Sequence, residues 1–337
     1  MTKGQLKARS LKVRISTISF HLPETIEGID ALQRDNPDWE ASKILGKTGI
    51  YQRHIAARGE TAVDLAFEAG RKLLEGISSR EGVDLLILVT QSPDYVLPTS
   101  ACILQDRLML SKSCMAFDVN LGCSGFVYAL SIAGGLIESG VVRNGLILCS
   151  DTYSKYIERN DRTCRPVFSD GAAAVFLEGS DAECIGPFEF GTDGSGYDRL
   201  IVRRSGARGA GQILKPGDGT LEMHGGDVFL FTMRVIPPCI SKLLERAGLT
   251  LKDVDLFVFH QASKLVIDNL IRHMSLDTKK VFVNYETVGN TVSASIPIAL
   301  KDAVTQGRLH EGDTVMLVGF GVGLSWGATM IRWSIAS

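Results

Sequence analysis

A cysteine between glycines is the residue in this chain best placed to do chemistry. Cys123 lies in LGCSGF at residues 121–126, after an apolar run at 115–119 and before apolar residues at helical spacing. This pattern predicts a strand, a sharp turn and a helix, which is the cysteine counterpart of the serine nucleophile elbow. Unpaired N–H groups at a helix start favour a thiolate, so we expect a nucleophile. The alternative is a small buried hydrophobe, the role of most free cysteines.

Two more polar residues lie where a catalytic site would need them. His260 ends the apolar run at 254–259, and a histidine at the end of a buried strand points to the sheet edge that carries chemistry in open α/β folds. Asn290 precedes a run with helical apolar spacing. Each has a plain structural explanation, a core histidine and a helix N-cap. Together with Cys123 they form an ordered set of strand-to-helix junctions that predicts one catalytic site.

Alternating apolar patterns predict the elements that position these residues. Strands are expected at 11–19, 84–90, 115–119, 145–151, 172–178, 254–259, 280–284, 313–319 and 328–334. Helices are expected at 61–76, 99–110, 124–138, 227–247, 263–274 and 292–306. Thr61 and Asp64 resemble a capping box at the first helix start. Such alternation predicts an α/β protein with mixed or parallel sheets covered by helices.

A faint internal repeat relates the two halves of the chain. Gly140 and Gly307 begin similar segments 167 residues apart, and the same offset relates Cys123 to Asn290. Two such halves, residues 1–180 and 181–337, would bring these helix starts together across a pseudo-twofold axis. The boundary is expected in residues 180–225, where Gly, Asp, Arg and Ser replace the apolar rhythm. Within it, residues 191–196 and 206–219 form either a surface connection or a flexible cover over a substrate tunnel.

Composition excludes several classes of function. A net charge of −2 over 337 residues gives no reason to expect nucleic-acid binding. Seven cysteines without a C-x-x-C pair argue against zinc or redox-dithiol sites and suit a reducing cytosol. The basic residues 1–14 lack the apolar core of a signal peptide, and no stretch approaches the ~20 apolar residues of a membrane span. We therefore expect a cytoplasmic protein without a membrane or metal partner.

The motifs together resemble the β-ketoacyl-(acyl carrier protein) synthase III family. The resemblance covers the chain from about residue 11 to its C-terminus, in family order. It rests on LGCSGF at 121–126, HQA at 260–262, GNT at 289–291, GVGLSWG at 321–327, TGI at 48–50, RHIA at 53–56 and FSDGAA at 168–173. It implies a thiolase-like fold, in which two pseudo-repeated halves form five αβαβα layers.

The resemblance also implies roles for the three site residues. Cys123 would accept an acyl group from a thioester, and His260 and Asn290 would stabilise the enolate formed when a malonyl thioester loses carbon dioxide. The backbone N–H groups of Cys123 and Val322 would form the oxyanion hole. The glycines at 319–323 do not match G-x-G-x-x-G and precede a strand, so a nucleotide loop is rejected. Acyl-CoA and malonyl-acyl carrier protein would be substrates, with no cofactor.

Substrate contacts are implied less directly. The family resemblance suggests a homodimer in which Leu97 reaches the partner's acyl pocket. It also assigns substrate binding to Trp39, Lys47, Arg162, Gly225 and Lys264. In relatives a tryptophan stacks on the adenine of CoA, but that position holds Lys43 here, and Trp39 lies four residues earlier. Weak acyl-CoA binding, or a primer delivered by a carrier protein, is therefore expected unless Trp39 folds back to stack.

Two other functions stay open at the level of sequence. An acyltransferase of a specialised pathway would pass the Cys123-bound acyl group to an oxygen, nitrogen or other carbon acceptor. A non-catalytic partner subunit would use the fold for assembly only. Retention of Cys123, His260 and Asn290 favours condensation over both.

Overall fold

The computed structural model describes residues 10–77, 80–211, 215 and 217–335. Most of the basic N-terminal segment, residues 1–9, thus lies outside the described residues. The described strands are β1 (Val13–His21), β2 (Thr25–Gly28), β3 (Gln52–Ile55), β4 (Leu85–Val89), β5 (Met115–Val119), β6 (Asn144–Asp151), β7 (Gly171–Gly179), β8 (Ile185–Thr192), β9 (Leu200–Val202), β10 (Leu221–Met223), β11 (Leu256–Phe259), β12 (Val281–Phe282), β13 (Thr314–Gly321) and β14 (Ser325–Arg332). The described helices are α1 (Ile29–Asp35), α2 (Ala41–Thr48), α3 (Ala62–Leu74), α4 (Ser100–Arg107), α5 (Gly125–Glu138), α6 (Gly206–Gly209), α7 (Gly225–Ala247), α8 (Lys264–Met274), α9 (Tyr285–Val288) and α10 (Ser295–Thr305).

Two five-stranded sheets share one topology. The strand order is β1-β7-β6-β4-β5 in the first sheet and β8-β14-β13-β11-β12 in the second. In each sheet the last two pairings of that order are parallel and the first two are antiparallel. Strand for strand the sheets match, which agrees with the repeat seen in the sequence.

Helices α5 and α10 pack between the two sheets, and both have apolar side chains on most of their surface. Phe126 and Leu130 of α5 and Ile296 and Leu300 of α10 are fully buried there. Helices α3 and α4 cover the outer face of the first sheet, and α7 and α8 cover that of the second. A helix that is apolar on most sides is stable only when most of its surface is buried, and a position between two sheets buries it in this way. The predicted five-layer αβαβα arrangement is confirmed.

The segment 180–225 contains three strands that the sequence patterns did not predict, β8, β9 and β10. Strand β8 pairs with β14 at the edge of the second sheet, while β9 and β10 form a separate antiparallel pair. Pro187 lies in β8 and donates no hydrogen bond, which an edge strand tolerates. Residues 212–214 and 216 of the expected cover lie outside the described residues.

Other differences are local. Thr61 caps α3 as predicted, accepting from the N–H of Asp64 at 3.3 Å while its own N–H donates to the Asp64 carboxylate at 2.9 Å. The predicted strand at 280–284 contains only the two residues of β12, and α10 begins at Ser295 after a 3₁₀ turn at Val292–Ala294. The sequence patterns missed the antiparallel pair of β2 and β3 and the helices α1 and α2 that connect these strands. Among the described helices, none is long and apolar enough to cross a membrane.

Candidate active site

Cys123 lies between the end of β5 and the start of α5 and is 4% exposed. The end of β13 approaches it so closely that a Cβ added at Gly321, the last residue of that strand, would lie 2.8 Å from the sulfur. Only glycine fits such an approach of backbone to side chain. The backbone N–H groups of Val322 and of Cys123 itself interact with the sulfur. The nucleophile candidate is therefore held by both halves of the chain.

Burial changes the expected ionisation of this thiol. It raises the pKa of Cys123 to about 12, and the nearby carboxyl of Asp151 acts in the same direction. The N–H groups of Val322 and Cys123 lower the pKa but do not outweigh burial. The expected resting thiolate is thus corrected, since loss of solvation outweighs the helix start. The group rests as a thiol and loses its proton during the reaction.

His260 follows β11 and is 2% exposed. Its backbone N–H donates to the Val318 carbonyl at 2.8 Å, and its Nδ1 lies 2.7 Å from the Ser295 hydroxyl. The ring packs edge-on against Phe320, with 5.7 Å between ring centres. Burial lowers the pKa of His260 to about 3, although the Val292 backbone acts in the opposite direction. The imidazole is consequently neutral near pH 7.

Asn290 is fixed by hydrogen bonds from both backbone and side chain. Its N–H donates to the Val167 carbonyl at 3.1 Å, and its carbonyl accepts from the Ser169 N–H at 2.9 Å. Its side-chain Oδ1 accepts from the Val292 N–H at 3.0 Å. Because Oδ1 is engaged inside the turn, the Nδ2 group is the end of the amide that is left to act as a donor.

Cys123, His260 and Asn290 line one cavity of about 440 Å³. Its other lining residues are Lys43, Ile44, Lys47, Thr48, Arg162, Thr163, Pro166, Val167, Phe168, Leu200, Met223, Gly225, Val228, Phe229, Thr232, Ala262, Ser263, Leu265, Val266, Phe320 and Gly321. Most are apolar, and the cationic ones are Lys43, Lys47 and Arg162. This composition suits a thioester whose carrier brings anionic groups.

The cavity includes three of the expected substrate-binding residues, namely Lys47, Arg162 and Gly225. Lys264 is outside the lining, and its ammonium lies 2.7 Å from the Asp268 carboxylate. Leu97 also lies outside the cavity of its own chain and is 80% exposed on the surface.

Trp39 does not reach the cavity, contrary to its expected substrate contact. It is 4% exposed and lies in the α1–α2 connection, where its N–H donates to the Asn36 carbonyl at 2.9 Å. The Arg162 guanidinium lies over the indole at 5.8 Å from the ring centre and pairs with Asp38. Packing of this connection buries the indole and Arg162 lies over it, so the alternative in which Trp39 folds back to stack on a base is not supported.

Two residues of the site were not found from the sequence. Ser295 is hydrogen-bonded to the His260 ring, and Phe320 packs against that ring. These two residues lie 35 and 60 positions after His260 in the chain. No local pattern marks such partners, because only the folded topology brings them together.

Known families match both halves of the site. The model described as 3-oxoacyl-[acyl-carrier-protein (ACP)] synthase III matches residues 117–194, and the model of the C-terminal part of that family matches residues 244–333. The first range contains Cys123, and the second contains His260 and Asn290.

Individual relatives match over nearly the whole chain. The β-ketoacyl-[acyl-carrier-protein] synthase III of Clostridioides difficile (strain 630) is 39% identical over 330 residues, covering 96% of this chain and 99% of the relative. A crystal structure of a 3-oxoacyl-(acyl-carrier-protein) synthase III has a TM-score of 0.89 and 44% identity, covering 96% of this chain and 100% of that one. The priming β-ketosynthase from the R1128 polyketide biosynthetic pathway has a TM-score of 0.90 and 29% identity, covering 99% and 100% of the two chains.

Proposed function

The chain belongs to the β-ketoacyl-(acyl carrier protein) synthase III family, and from this premise we propose that it joins an acyl thioester to malonyl-acyl carrier protein by decarboxylative condensation. The observation that carries the proposal is the single cavity shared by Cys123, His260 and Asn290. A nucleophile and two neutral hydrogen-bond donors are what covalent acyl transfer followed by enolate formation requires.

In the loading step the Cys123 sulfur attacks the carbonyl carbon of the acyl thioester. The backbone N–H groups of Cys123 and Val322 stabilise the oxyanion, an assignment supported by their interaction with the sulfur. The carbon–sulfur bond to the carrier then breaks, and the carrier leaves as a thiol with the proton from Cys123. A raised thiol pKa fits a transfer in which the proton leaves as the new bond forms.

In the condensation step the malonyl thioester loses carbon dioxide and becomes an enolate. The Asn290 amide and Nε2 of His260 donate to the enolate oxygen. The Ser295 hydroxyl supports this role, because by donating to Nδ1 it keeps the ring proton of the neutral imidazole on Nε2. The enolate carbon attacks the carbonyl carbon of the acyl-cysteine, and the Cys123 sulfur leaves as a thiolate that takes a proton from water. Each developing charge meets an N–H donor of the chain, so we propose that no cofactor takes part.

The test is mass spectrometry of the intact protein after incubation with a panel of acyl-CoAs, with and without malonyl-acyl carrier protein. Condensation requires a mass increase at Cys123 that disappears when the malonyl thioester is added, with release of a β-ketoacyl product. Loading without any β-ketoacyl product, and transfer to an oxygen or nitrogen acceptor, would favour a specialised acyltransferase instead. No loading by any primer would contradict the proposal.

We also propose that acyl-CoA binds without stacking of its adenine on tryptophan. The burial of Trp39 and the lining position of Lys43 and Lys47 support binding through phosphate rather than base. Trp39→Ala is then expected to lower the thermal stability, by the roughly 3–5 kcal/mol of a lost buried aromatic side chain, while acyl-CoA affinity changes less than about twofold.

Lys47→Ala is the matched comparison, because Lys47 lines the cavity. It should weaken acyl-CoA binding several-fold with little loss of stability. A large loss of affinity in the folded Trp39→Ala variant would contradict the phosphate model.

A homodimer is supported by the exposed segment at residues 95–97. Tyr95, Val96 and Leu97 are 60%, 83% and 80% exposed, although all three side chains are large and apolar. Such a patch is more stable when covered, and we propose that a second copy covers it and receives Leu97 near its acyl pocket. Sedimentation should give a dimer at micromolar concentration, and Leu97→Asp should shift the protein towards monomer.

We further propose a cytoplasmic location, supported by seven cysteines that are all free thiols.

A further inference from the structure

Asp151 is a carboxyl group inside the protein that the proposed reaction does not use. It ends β6, is 0% exposed, and lies close enough to Cys123 to affect the pKa of that thiol. Its Oδ1 accepts from the Gln91 N–H at 2.8 Å, in the loop after β4. Its Oδ2 accepts from the Ser293 N–H at 3.2 Å and from the Ser293 hydroxyl at 2.5 Å. One carboxylate thus joins the first sheet to the turn that precedes α10.

The turn held by Asp151 has an unusual backbone. Val292 has φ of 53°, a left-handed conformation that β-branched residues rarely adopt. Its N–H donates to Oδ1 of Asn290, and the next N–H along the chain, that of Ser293, donates to Asp151. Two successive N–H groups therefore point to different side chains at the residue that has this unusual conformation. Without the Asp151 acceptor, the turn loses its two shorter bonds to the first sheet and keeps the longer one from the Ser293 hydroxyl to the Val89 carbonyl, at 3.3 Å.

We propose that Asp151 is a positioning residue, whose carboxylate holds the turn at residues 291–293 so that the Asn290 amide presents its N–H donors to the cavity. The inference rests on the function proposed above, in which Asn290 stabilises the enolate. Asp151 touches no reacting atom in this scheme. Its contribution is the orientation of a group whose misplacement by about 1 Å can cost about 10²-fold in rate.

Asparagine is a poor substitute at this position. Each carboxylate oxygen accepts from a backbone N–H, one from Gln91 and one from Ser293. The side-chain NH₂ of Asn would therefore face one of these donors, whichever way the amide is turned. Asp151→Asn keeps the shape but removes one acceptor. Because burial raises the pKa of Asp151 to about 7, the negative charge that the substitution removes near the Cys123 sulfur is only partial at neutral pH.

The test separates the two half-reactions in the full-length protein. Loading of Cys123 from acetyl-CoA is measured by mass spectrometry, and carbon dioxide release from malonyl-CoA is measured without primer. We expect Asp151→Asn to lower decarboxylation about 10- to 100-fold, while the loading rate falls less than threefold. Ser293→Ala removes the shortest of these hydrogen bonds, and we expect a three- to tenfold loss in decarboxylation only. The losses in the double variant should be less than additive, because both changes act on the contacts of one side chain.

Asp118→Asn is the matched control. Asp118 is a partly buried carboxylate that, like Asp151, accepts two backbone N–H groups, those of Ser100 and Ala101 at 2.7 Å each, but at the start of α4. It should leave the ratio of the two rates unchanged.

The inference is overturned if Asp151→Asn lowers both rates equally or neither. If that variant does not fold, Ser293→Ala decides, and an unchanged ratio of the two rates overturns the inference. A parent protein that neither loads nor decarboxylates overturns the proposed function and this inference with it. A parent active in both steps with an unchanged ratio in the variants overturns the inference alone.

Discussion

The junction at Cys123 and the junction at Asn290 stand at equivalent places in the two halves, 167 residues apart. In the first half β5 has five residues, and α5 begins two residues after Cys123. In the second half β12 has two residues, and α10 begins only after α9 and a 3₁₀ turn. One junction is fixed by glycines and close packing, and the other by hydrogen bonds.

The difference corresponds to the chemistry proposed for each junction. A nucleophile needs space and nearby N–H groups, which Gly321 and the loop after β13 provide. A side-chain donor needs a fixed orientation, which Val292 and Asp151 provide through successive N–H groups. The repeated fold thus puts Cys123 and Asn290 at equivalent positions in the two halves. The different turns at these positions suit one residue to act as a nucleophile and the other as a hydrogen-bond donor.

The largest expected effect is that of replacing the nucleophile Cys123, which should affect the reaction of the first junction and not that of the second. Cys123→Ala should abolish acyl loading, by roughly 10⁴-fold or more, because it removes the only atom that forms the covalent intermediate. Decarboxylation of malonyl-CoA should persist, since it uses the other junction. The control is Cys164→Ala, because Cys164 is fully buried in the same apolar cluster as Cys123. Acyl groups that appear mainly on Cys164, Cys102 or Cys149 would refute the assignment.

A smaller effect is expected on the donor side. His260→Ala and Asn290→Ala should each lower decarboxylation by about 10²–10³, as loss of a single oxyanion donor does. Loading of Cys123 should continue in both, because the backbone donors that assist it remain. Separate assays of the two half-reactions check this. Parent-like decarboxylation in both variants would show that the division of roles is wrong.

Ser295→Ala sharpens the comparison further. It removes the hydroxyl 2.7 Å from Nδ1 of His260, which we expect to hold the ring tautomer. Decarboxylation should fall by up to about tenfold, in line with the ~1 kcal/mol of one hydrogen bond. Ser295→Thr keeps the hydroxyl and should recover most of the rate if the pocket accommodates its methyl group. If Ser295→Ala lowered the rate of loading and not that of decarboxylation, Ser295 would support the Cys123 junction, and its proposed role beside His260 would be wrong.

The last prediction concerns the pH dependence of the thiol in the parent protein. Since burial raises the pKa of Cys123 to about 12, alkylation by iodoacetamide should rise about tenfold per pH unit from pH 7 to about 10 without a plateau. The site of alkylation is checked by peptide mapping. A plateau near neutral pH would show that the helix start outweighs burial after all.

Sequence patterns predicted the first junction better than the second. The glycines around Cys123 and the long apolar helix after it act locally, so residues 115–138 were predicted almost to the residue. Strand β12 was predicted too long because residues 283–284 continue the alternation although the chain already turns into α9. Strand β8 was missed because Gly186 and Pro187 weaken its pattern, which an edge position tolerates.

Contacts between distant residues set the remaining limit. Asp151 and Ser293 are 142 positions apart, and no local signal at either residue identifies the other. Trp39 shows the opposite case, in which the tryptophan nearest to the family's position was considered for the site but is buried by the packing of its own connection. Ionisation was also mispredicted, because the desolvation of Cys123 depends on the end of β13 in the other half.

The arrangement of the sheets has a consequence for how the protein forms during synthesis. All strands of the first sheet lie within residues 13–179, and all strands of the second lie within 185–332. The first sheet can therefore assemble while the ribosome is still adding the second half. The cavity closes only when the last strands, β13 and β14, have emerged and brought Gly321 against the thiol. A nascent chain released before residue 321 would have its nucleophile uncovered and lack the Val322 N–H, so activity should appear late, as one event at the end of translation.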